Sequence, residues 1–296
     1  MSAYKFFLGT VFVAVWFCGP ILCLAANQTI SFYVSPKGDD TNPGTATKPF
    51  KSIPQALQAV KKTREKSTGK RYIFLRDGNH ELSEPVKIEP DEGGTPKDFL
   101  MITASTGEKA TIKGSRSIIG WTEFAPGIAV AEIPYSVSPK EAVAAEGDQP
   151  EQPAVEGVKW NFEQVFVNGT LAEKIMFEKP PEKAEDMQSG CWCSDFENRK
   201  IYYRLRKNET PEKLTVEVPI AKQLFIVAGN PEDERPVQNL RILDINFSLV
   251  VWETQNPENQ LPALEFKYAK NCTLEKCSFE LIPQPMFRFA DDCIPQ

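Results

Sequence analysis

The strongest constraint on what this chain can fold into is a self-similarity near its carboxyl end. The stretch Asn239-Leu240-Arg241-Ile242-Leu243-Asp244-Ile245-Asn246-Phe247-Ser248-Leu249 lies over Asn271-Cys272-Thr273-Leu274-Glu275-Lys276-Cys277-Ser278-Phe279-Glu280-Leu281. Apolar positions match throughout: Leu240 with Cys272, Ile242 with Leu274, Ile245 with Cys277, Phe247 with Phe279, and Leu249 with Leu281. A second stretch, Ala263-Leu264-Glu265-Phe266, falls over Met286-Phe287-Arg288-Phe289 and sets a carboxylate against a guanidinium. A period of roughly twenty-odd residues, lengthened in the first copy by the polar run from Thr254 to Gln260, is what stacked β coils produce. Each coil adds strands about 4.8 Å above the previous one, so like residues form interior ladders. The pattern predicts a parallel β-helix rather than a sandwich.

The preceding chain is also mainly β. A strand at Ser31-Phe32-Tyr33-Val34-Ser35 leads into a turn-rich stretch from Pro36 to Thr45. One helix is expected after it, with Ser52 as cap, Gln55 completing a capping box, and Ile53, Ala56, Leu57 and Val60 at helical spacing up to Lys61, Lys62 and Arg64. Short β segments follow at Tyr72–Leu75, Val86–Ile88, Phe99–Thr103 and Ala110–Ile112. Residues 136–158, rich in Glu, Ala and Pro, lack apolar periodicity and are expected to form an exposed, mobile insertion. Beyond them, Glu163–Val167 enters an Asn168-Gly169 hairpin turn, and Lys200–Leu205 alternates in type, which suggests a small antiparallel subdomain.

These readings divide the chain into a signal peptide over 1–26, a cap with first strands over 27–121, an inserted β subdomain over 122–235, and coils over 236–296. The signal rests on Lys5, the apolar run Phe6 to Leu24, and small Ala25 and Ala26 before Asn27 and Gln28. That run approaches the ~20 residues a membrane helix needs, but Gly19-Pro20 interrupts it. Cleavage near Ala26 is expected, giving a secreted protein, extracellular or periplasmic, with no membrane partner.

Composition removes several function classes. With 40 acidic against 34 basic residues, the formal charge of −6 offers no source for the counterion release that drives nucleic-acid binding. The single histidine, His80, excludes any His-His metal site and leaves a Ser-His-Asp triad only one possible base. G-x-S-x-G, the phosphate-binding glycine loops and C-x-x-C are absent from the sequence. No cofactor and no metal are expected. Beyond the signal, Cys191, Cys193, Cys272, Cys277 and Cys293 are an odd number, and small buried hydrophobes is their plainer role.

Several motifs together resemble a known family. The opening Tyr33-Val34-Ser35-Pro36-Lys37-Gly38-Asp39-Asp40-Thr41-Asn42-Pro43-Gly44-Thr45, with Lys48-Pro49-Phe50-Lys51-Ser52-Ile53, is similar to the amino-terminal signature of secreted right-handed parallel β-helix proteins of the pectin-lyase-like superfamily. In the family's order come Asp77-Gly78-Asn79-His80-Glu81-Leu82, Ile112-Lys113-Gly114-Ser115 with Gly120-Trp121, Phe166-Val167-Asn168-Gly169 and Ile201-Tyr202-Tyr203-Arg204-Leu205. The resemblance implies a helix capping the end of the β-helix and a β subdomain inserted in it. It looks most like β-helix glycoside hydrolases acting on plant or algal glycans, although the superfamily also holds polysaccharide lyases and proteins without known activity. Those enzymes carry catalytic carboxylates on later coils. The expectation is therefore that this chain is the front part of a longer protein and is inactive alone.

Candidate residues have competing readings. Asp291-Asp292-Cys293-Ile294 resembles a polygalacturonase segment whose paired carboxylates activate water and protonate the leaving oxygen. The accompanying Asn-Thr-Asp and Gly-His-Gly are absent, so an acidic turn is the alternative. Trp121 and Trp252 are candidates for sugar stacking, with Trp160 and Trp192 also to be checked, whereas a core position is the commoner fate of Trp in β proteins. Asp39, Asp40 and Asn42 carry calcium-type oxygens but lack a defined loop spacing, which leaves an Asx-stabilised turn. His80 has no identifiable nucleophile beside it in sequence. A polysaccharide partner is expected, either for a glycoside hydrolase lineage or for a non-catalytic glycan-binding or surface-interaction module.

Overall fold

The computed structural model describes residues 29–134, 162–176, 181, 183–253, 256–290 and 293. The expected signal and the acidic stretch 136–158 lie outside the described residues. The chain is mainly β, arranged as curled parallel sheets beside a mixed one.

Among the described residues a single α-helix, Ile53–Arg64, forms where the sequence places it. Ser52 is extended (φ −117°, ψ 147°), and its hydroxyl accepts the Gln55 amide at 3.3 Å. Ile53, Ala56, Leu57 and Val60 turn inward and are buried in the main core. The far end of the helix is tied down by Arg71, which is fully buried. Its guanidinium donates to the carbonyls of Thr63 (3.0 Å) and Ser67 (2.5 Å) and to Asp98 (3.1 Å), while Asp98 also accepts from Arg64 at 2.6 Å. Carbonyls that a helix end leaves without intrahelical partners thus gain cationic donors.

Three sheets pair their strands in parallel. The first is ordered Ile30–Val34, Arg71–Leu75, Leu100–Ala104, Leu240–Leu243, Thr273–Glu275. The second runs Gly78–Glu81, Ala110–Lys113, Ile245–Ser248, Ser278–Glu280. In the third, Val86–Ile88, Phe225–Ala228, Leu264–Lys267 and Phe287–Phe289 lie side by side. From Arg71 onward, leaving aside the chain between Lys113 and Phe225, strands fall to the first, second and third sheets in turn, with the short parallel pair Val237–Gln238 and Ala269–Lys270 set between the third and the first. Residues that align in sequence stand opposite one another: Ile242 faces Leu274, Phe247 faces Phe279, and Glu265 faces Arg288. Inward columns such as Ile73, Ile102 and Ile242, or Ile112 and Phe247, are fully buried.

Between Lys113 and Phe225 the chain leaves this arrangement to form an eight-stranded sheet with its own core around Trp192 and Tyr203. Its strand order is Ser115–Ile118, Val216–Pro219, Val165–Val167, Thr170–Lys174, Cys191–Asp195, Lys200–Arg204, Ile128–Glu132, Thr122–Ala125. The Asn168-Gly169 turn has positive φ at both residues (51° and 76°) and joins a hairpin with Val167 opposite Thr170. The sheet is not antiparallel throughout: Thr170–Lys174 and Cys191–Asp195 run parallel, because the intervening chain recrosses instead of turning straight back. Departure and return meet at Gly114. Its amide contacts the carbonyls of Ser248 (3.1 Å) and Leu249 (2.8 Å), and its carbonyl accepts from Ile220 (2.8 Å) and Ala221 (3.0 Å). A Cβ there would lie 2.6 Å from the Leu249 carbonyl oxygen, so the crossing requires glycine.

The ladder model has a direct test. Phe247 is fully buried, with its ring 5.8 Å from Phe225 and 5.4 Å from Phe279. Phe247→Ala is expected to lower the unfolding free energy by about 3–5 kcal/mol, read from urea denaturation with an unchanged m-value.

Candidate functional site

On the third sheet, Phe225, Val227, Leu264 and Phe266 fill the interior, so the alternate residues form the outer face. One outer row crosses the strands as Lys87, Ile226, Glu265, Arg288, and Ala228 with Lys267 stands in the next. Outward carboxylates are ordinarily solvated, yet Glu265 is only 2% exposed. Its oxygens accept from the Arg288 guanidinium, from Lys267 Nζ at 3.0 Å, and from Gln223 Nε2 at 3.3 Å. Gln223, itself buried, also donates to the Pro262 carbonyl at 3.1 Å, which fixes the amide in place. Burial alone would push the Glu265 carboxyl upward, but the bonds from Arg288, Lys267 and Gln223 outweigh it and hold it below the usual carboxylate range. Glu265 is therefore a pre-ionised acceptor, not a proton donor.

The same face opens into a cavity of about 670 Å³, walled by Lys87, Ile226, Ala228, Asp91, Asn230 and Arg235. Lys87 and Ile226 belong both to this cavity and to the row that carries Glu265. At its rim Asp91 bridges Lys61 (2.8 Å) and Arg235, and these contacts keep its carboxyl ionised. The arrangement supplies fixed donors and acceptors beside an open concavity, which suits the orientation of hydroxyl groups. Glycosidic hydrolysis would further need a second carboxyl roughly 5–9.5 Å from the first. The groups bonded to Glu265 are all cationic or amide.

The sequence-derived candidates scatter. Asp291 and Asp292 follow the Phe287–Phe289 strand of this sheet but lie outside the described residues, as does Trp160. Trp121 sits in the core of the eight-stranded sheet, 6% exposed, with its indole N–H on the Ile118 carbonyl at 2.9 Å. Trp192 is fully buried there. Trp252 is half-buried where the two parts of the molecule meet, edge-on to Phe166 at 5.3 Å, and its indole donates to the Leu281 carbonyl at 3.1 Å. Asp39 accepts from Thr41 at 2.8 Å and Asp40 from the Lys51 and Ser52 amides at 2.8 Å, the bonding of a stabilised turn. Gln223 carried no signal in the sequence; the opposed charges of Glu265 and Arg288 did.

No protein-family model matches the sequence, and no curated protein matches it. Two solved structures do resemble it, both at 18% sequence identity. One, titled "Glycoside hydrolase", superposes with a TM-score of 0.63 over 85% of this chain. In fold, the chain resembles a glycoside hydrolase. The other, "The complex structure of XylC with xylose", gives 0.52 over 84% of this chain. The chain spans 62% of the first structure's length and 40% of the second's.

Glu265→Gln tests the electrostatic account. A folded pKa below the ordinary 4.5 contributes stability above that value, and the contribution is lost as pH falls through the lower folded value. The variant is expected to be less stable than the parent by about 1 kcal/mol at neutral pH, a modest figure because Arg288 and Lys267 are half exposed and screened. The difference is expected to shrink in acid, as measured by denaturant titrations across pH.

Proposed function

We propose that the chain is an exported, carbohydrate-active protein built on a right-handed parallel β-helix, of the glycoside hydrolase lineage. Its glycan groove, in this reading, is the outer face of the third sheet. The observation that carries the proposal is the superposition on a glycoside hydrolase over 85% of the chain at a TM-score of 0.63. Strands dealt in turn to three parallel sheets, with a helix over one end, support the β-helix of the pectin-lyase-like superfamily. Arg288 and Lys267, half exposed and fixed by the buried Glu265, would hold sugar hydroxyls, with the neighbouring cavity taking adjacent units.

A second reading, a non-catalytic glycan-binding module, is favoured by the state of Glu265. Its lone pairs are already engaged by Arg288, Lys267 and Gln223, as befits a group that positions rather than attacks.

One experiment separates the two. The protein is titrated with xylotriose, cellotriose and trigalacturonate by calorimetry, and the same mixtures are assayed for new reducing ends. Cleavage that disappears in Asp291→Asn or Asp292→Asn establishes a hydrolase. Binding without cleavage, weakened roughly tenfold by Glu265→Ala, establishes the binding module. Neither binding nor cleavage sinks both. Export is checked separately, since the secreted protein is expected to begin near Asn27.

A further inference from the structure

His80 is the chain's one histidine, and it is built into the interior. It stands in register with Ile112, and through it with Phe247, in the buried column of the second sheet, and is 5% exposed. Its Nε2 lies 2.9 Å from the Arg76 carbonyl oxygen, while its Nδ1 is buried with no hydrogen-bond partner. A carbonyl only accepts, so Nε2 carries the proton and Nδ1 an unused lone pair. A neutral imidazole suits such a place. An imidazolium does not, because its added N–H would meet no acceptor and its charge no water.

The carboxylates of the elements packed around it are committed elsewhere. In its own segment Asp77 accepts from the Lys109 amide at 3.3 Å, and Glu81 pairs with Arg116 at 3.2 Å. On the approach to the next strand Glu108 holds Arg76 at 2.8 Å, and that strand brings Lys113, held by Glu217 at 2.9 Å. From the turn and the helix start come Asp39, bonded to Thr41 at 2.8 Å, and Asp40, bonded to the Lys51 and Ser52 amides at 2.8 Å each. Lys51 and Lys109 add positive charge only, and the strand Ile245–Ser248 carries no charged side chain. Burial therefore outweighs the Arg76 carbonyl and pushes the imidazole below its ordinary 6.5. Below that value the unfolded chain takes up a proton that the folded chain does not. Stability is thus full above 6.5 and is lost as pH falls from there toward the lower folded value.

The strand that carries His80 is also the one placed to yield. Among the described residues Gly78–Glu81 pairs on one side only, with Ala110–Lys113. Beside it, in place of a further strand, lies a cavity of about 690 Å³ walled by Pro36 and Asp40 of the turn and by Ser52 and Ile53 at the helix start. Opening this edge gives an imidazolium water without parting the stacked coils.

We propose that His80 is an acid-sensitive latch: on gaining a proton at Nδ1 it releases the Gly78–Glu81 edge from its sheet, while the coils beyond stay folded. The latch does not rest on the reading given for the third sheet. The experiment uses the full chain with ¹⁵N-labelled histidine. Long-range ¹H–¹⁵N spectra are expected to show an Nε2–H imidazole that stays neutral well below its ordinary 6.5. Hydrogen exchange over the same range is expected to show the opening constants of the Gly78 and Leu82 amides, bonded to the Lys109 (3.0 Å) and Lys113 (2.7 Å) carbonyls, rising roughly tenfold per pH unit, with the Leu240–Leu243 amides still protected. His80→Gln, which keeps a donor for the Arg76 carbonyl but does not titrate, is expected to abolish the rise. Glu92, whose buried carboxyl is pushed up, lies at the far end of the helix and acts in the opposite sense, so it does not mimic the effect. An imidazole that titrates near 6.5 in the folded chain, opening constants that stay flat, a rise shared equally by Leu240–Leu243, or a rise that persists in His80→Gln overturns the proposal. The first three are read on the parent protein, and stand whether or not the variant folds.

Discussion

Residue-for-residue register between parallel strands is the constraint on which the rest of this molecule rests. Side chains alternate sides along a strand, so a slip of one position would turn Ile242 and Phe247 outward and bring charged neighbours in. The register holds because Ile102, Ile242 and Leu274, or Ile112, Phe247 and Phe279, must share columns to leave no gap. Once the interior is fixed, the outer face follows. Glu265 meets Arg288 on one side and Ile226 on the other, with Lys87 beyond Ile226, because Phe225 meets Leu264 one position earlier. Core and candidate site are two sides of one alignment.

This explains which parts were legible in the sequence. The opposed pairs were readable because each is carried by strands of matching pattern, and the helix because Ser52, Gln55 and four apolar residues at helical spacing are local signals. The Asn168-Gly169 hairpin is local in the same way. Burial of Glu265 was not readable, since it depends on Gln223, whose amide is positioned by Pro262 from a distant part of the chain. The parallel join between Thr170–Lys174 and Cys191–Asp195 was hidden for a related reason: the path of a connection leaves no periodic trace. Trp121 illustrates the limit for aromatic residues. Its ring is core because the eight-stranded sheet closes over it, a fact about tertiary packing that composition does not carry.

Aromatic content by itself would have drawn attention to a different surface. On the outer side of the first sheet, Tyr33 stacks on Phe74 at 5.2 Å and Phe74 on Tyr72 at 5.6 Å, with Tyr72 edge-on to Phe99 and Arg241 covering Phe99 at 4.3 Å. These rings spend their faces on one another and on a guanidinium. Sugar stacking needs a free face, so this column is better understood as bracing between strands. The third sheet turns Phe225 and Phe266 inward and, on its outer face, holds the half-exposed Arg288 and Lys267 on a buried carboxylate beside a concavity, which is what a hydroxylated ligand needs.

The meeting of exit and return at Gly114 has a consequence for how such a chain can change. To the strands on either side, the whole eight-stranded sheet occupies the place of a single corner, since the chain leaves it through Gly114 and returns with the Ile220 and Ala221 amides on the Gly114 carbonyl. The closure entropy of that long excursion is settled at the junction, and grows only slowly with the length enclosed. Lineages carrying this scaffold are thus free to lengthen, trim or exchange the excursion as one cassette, re-equipping the rim of the molecule while the columns beneath keep their alignment.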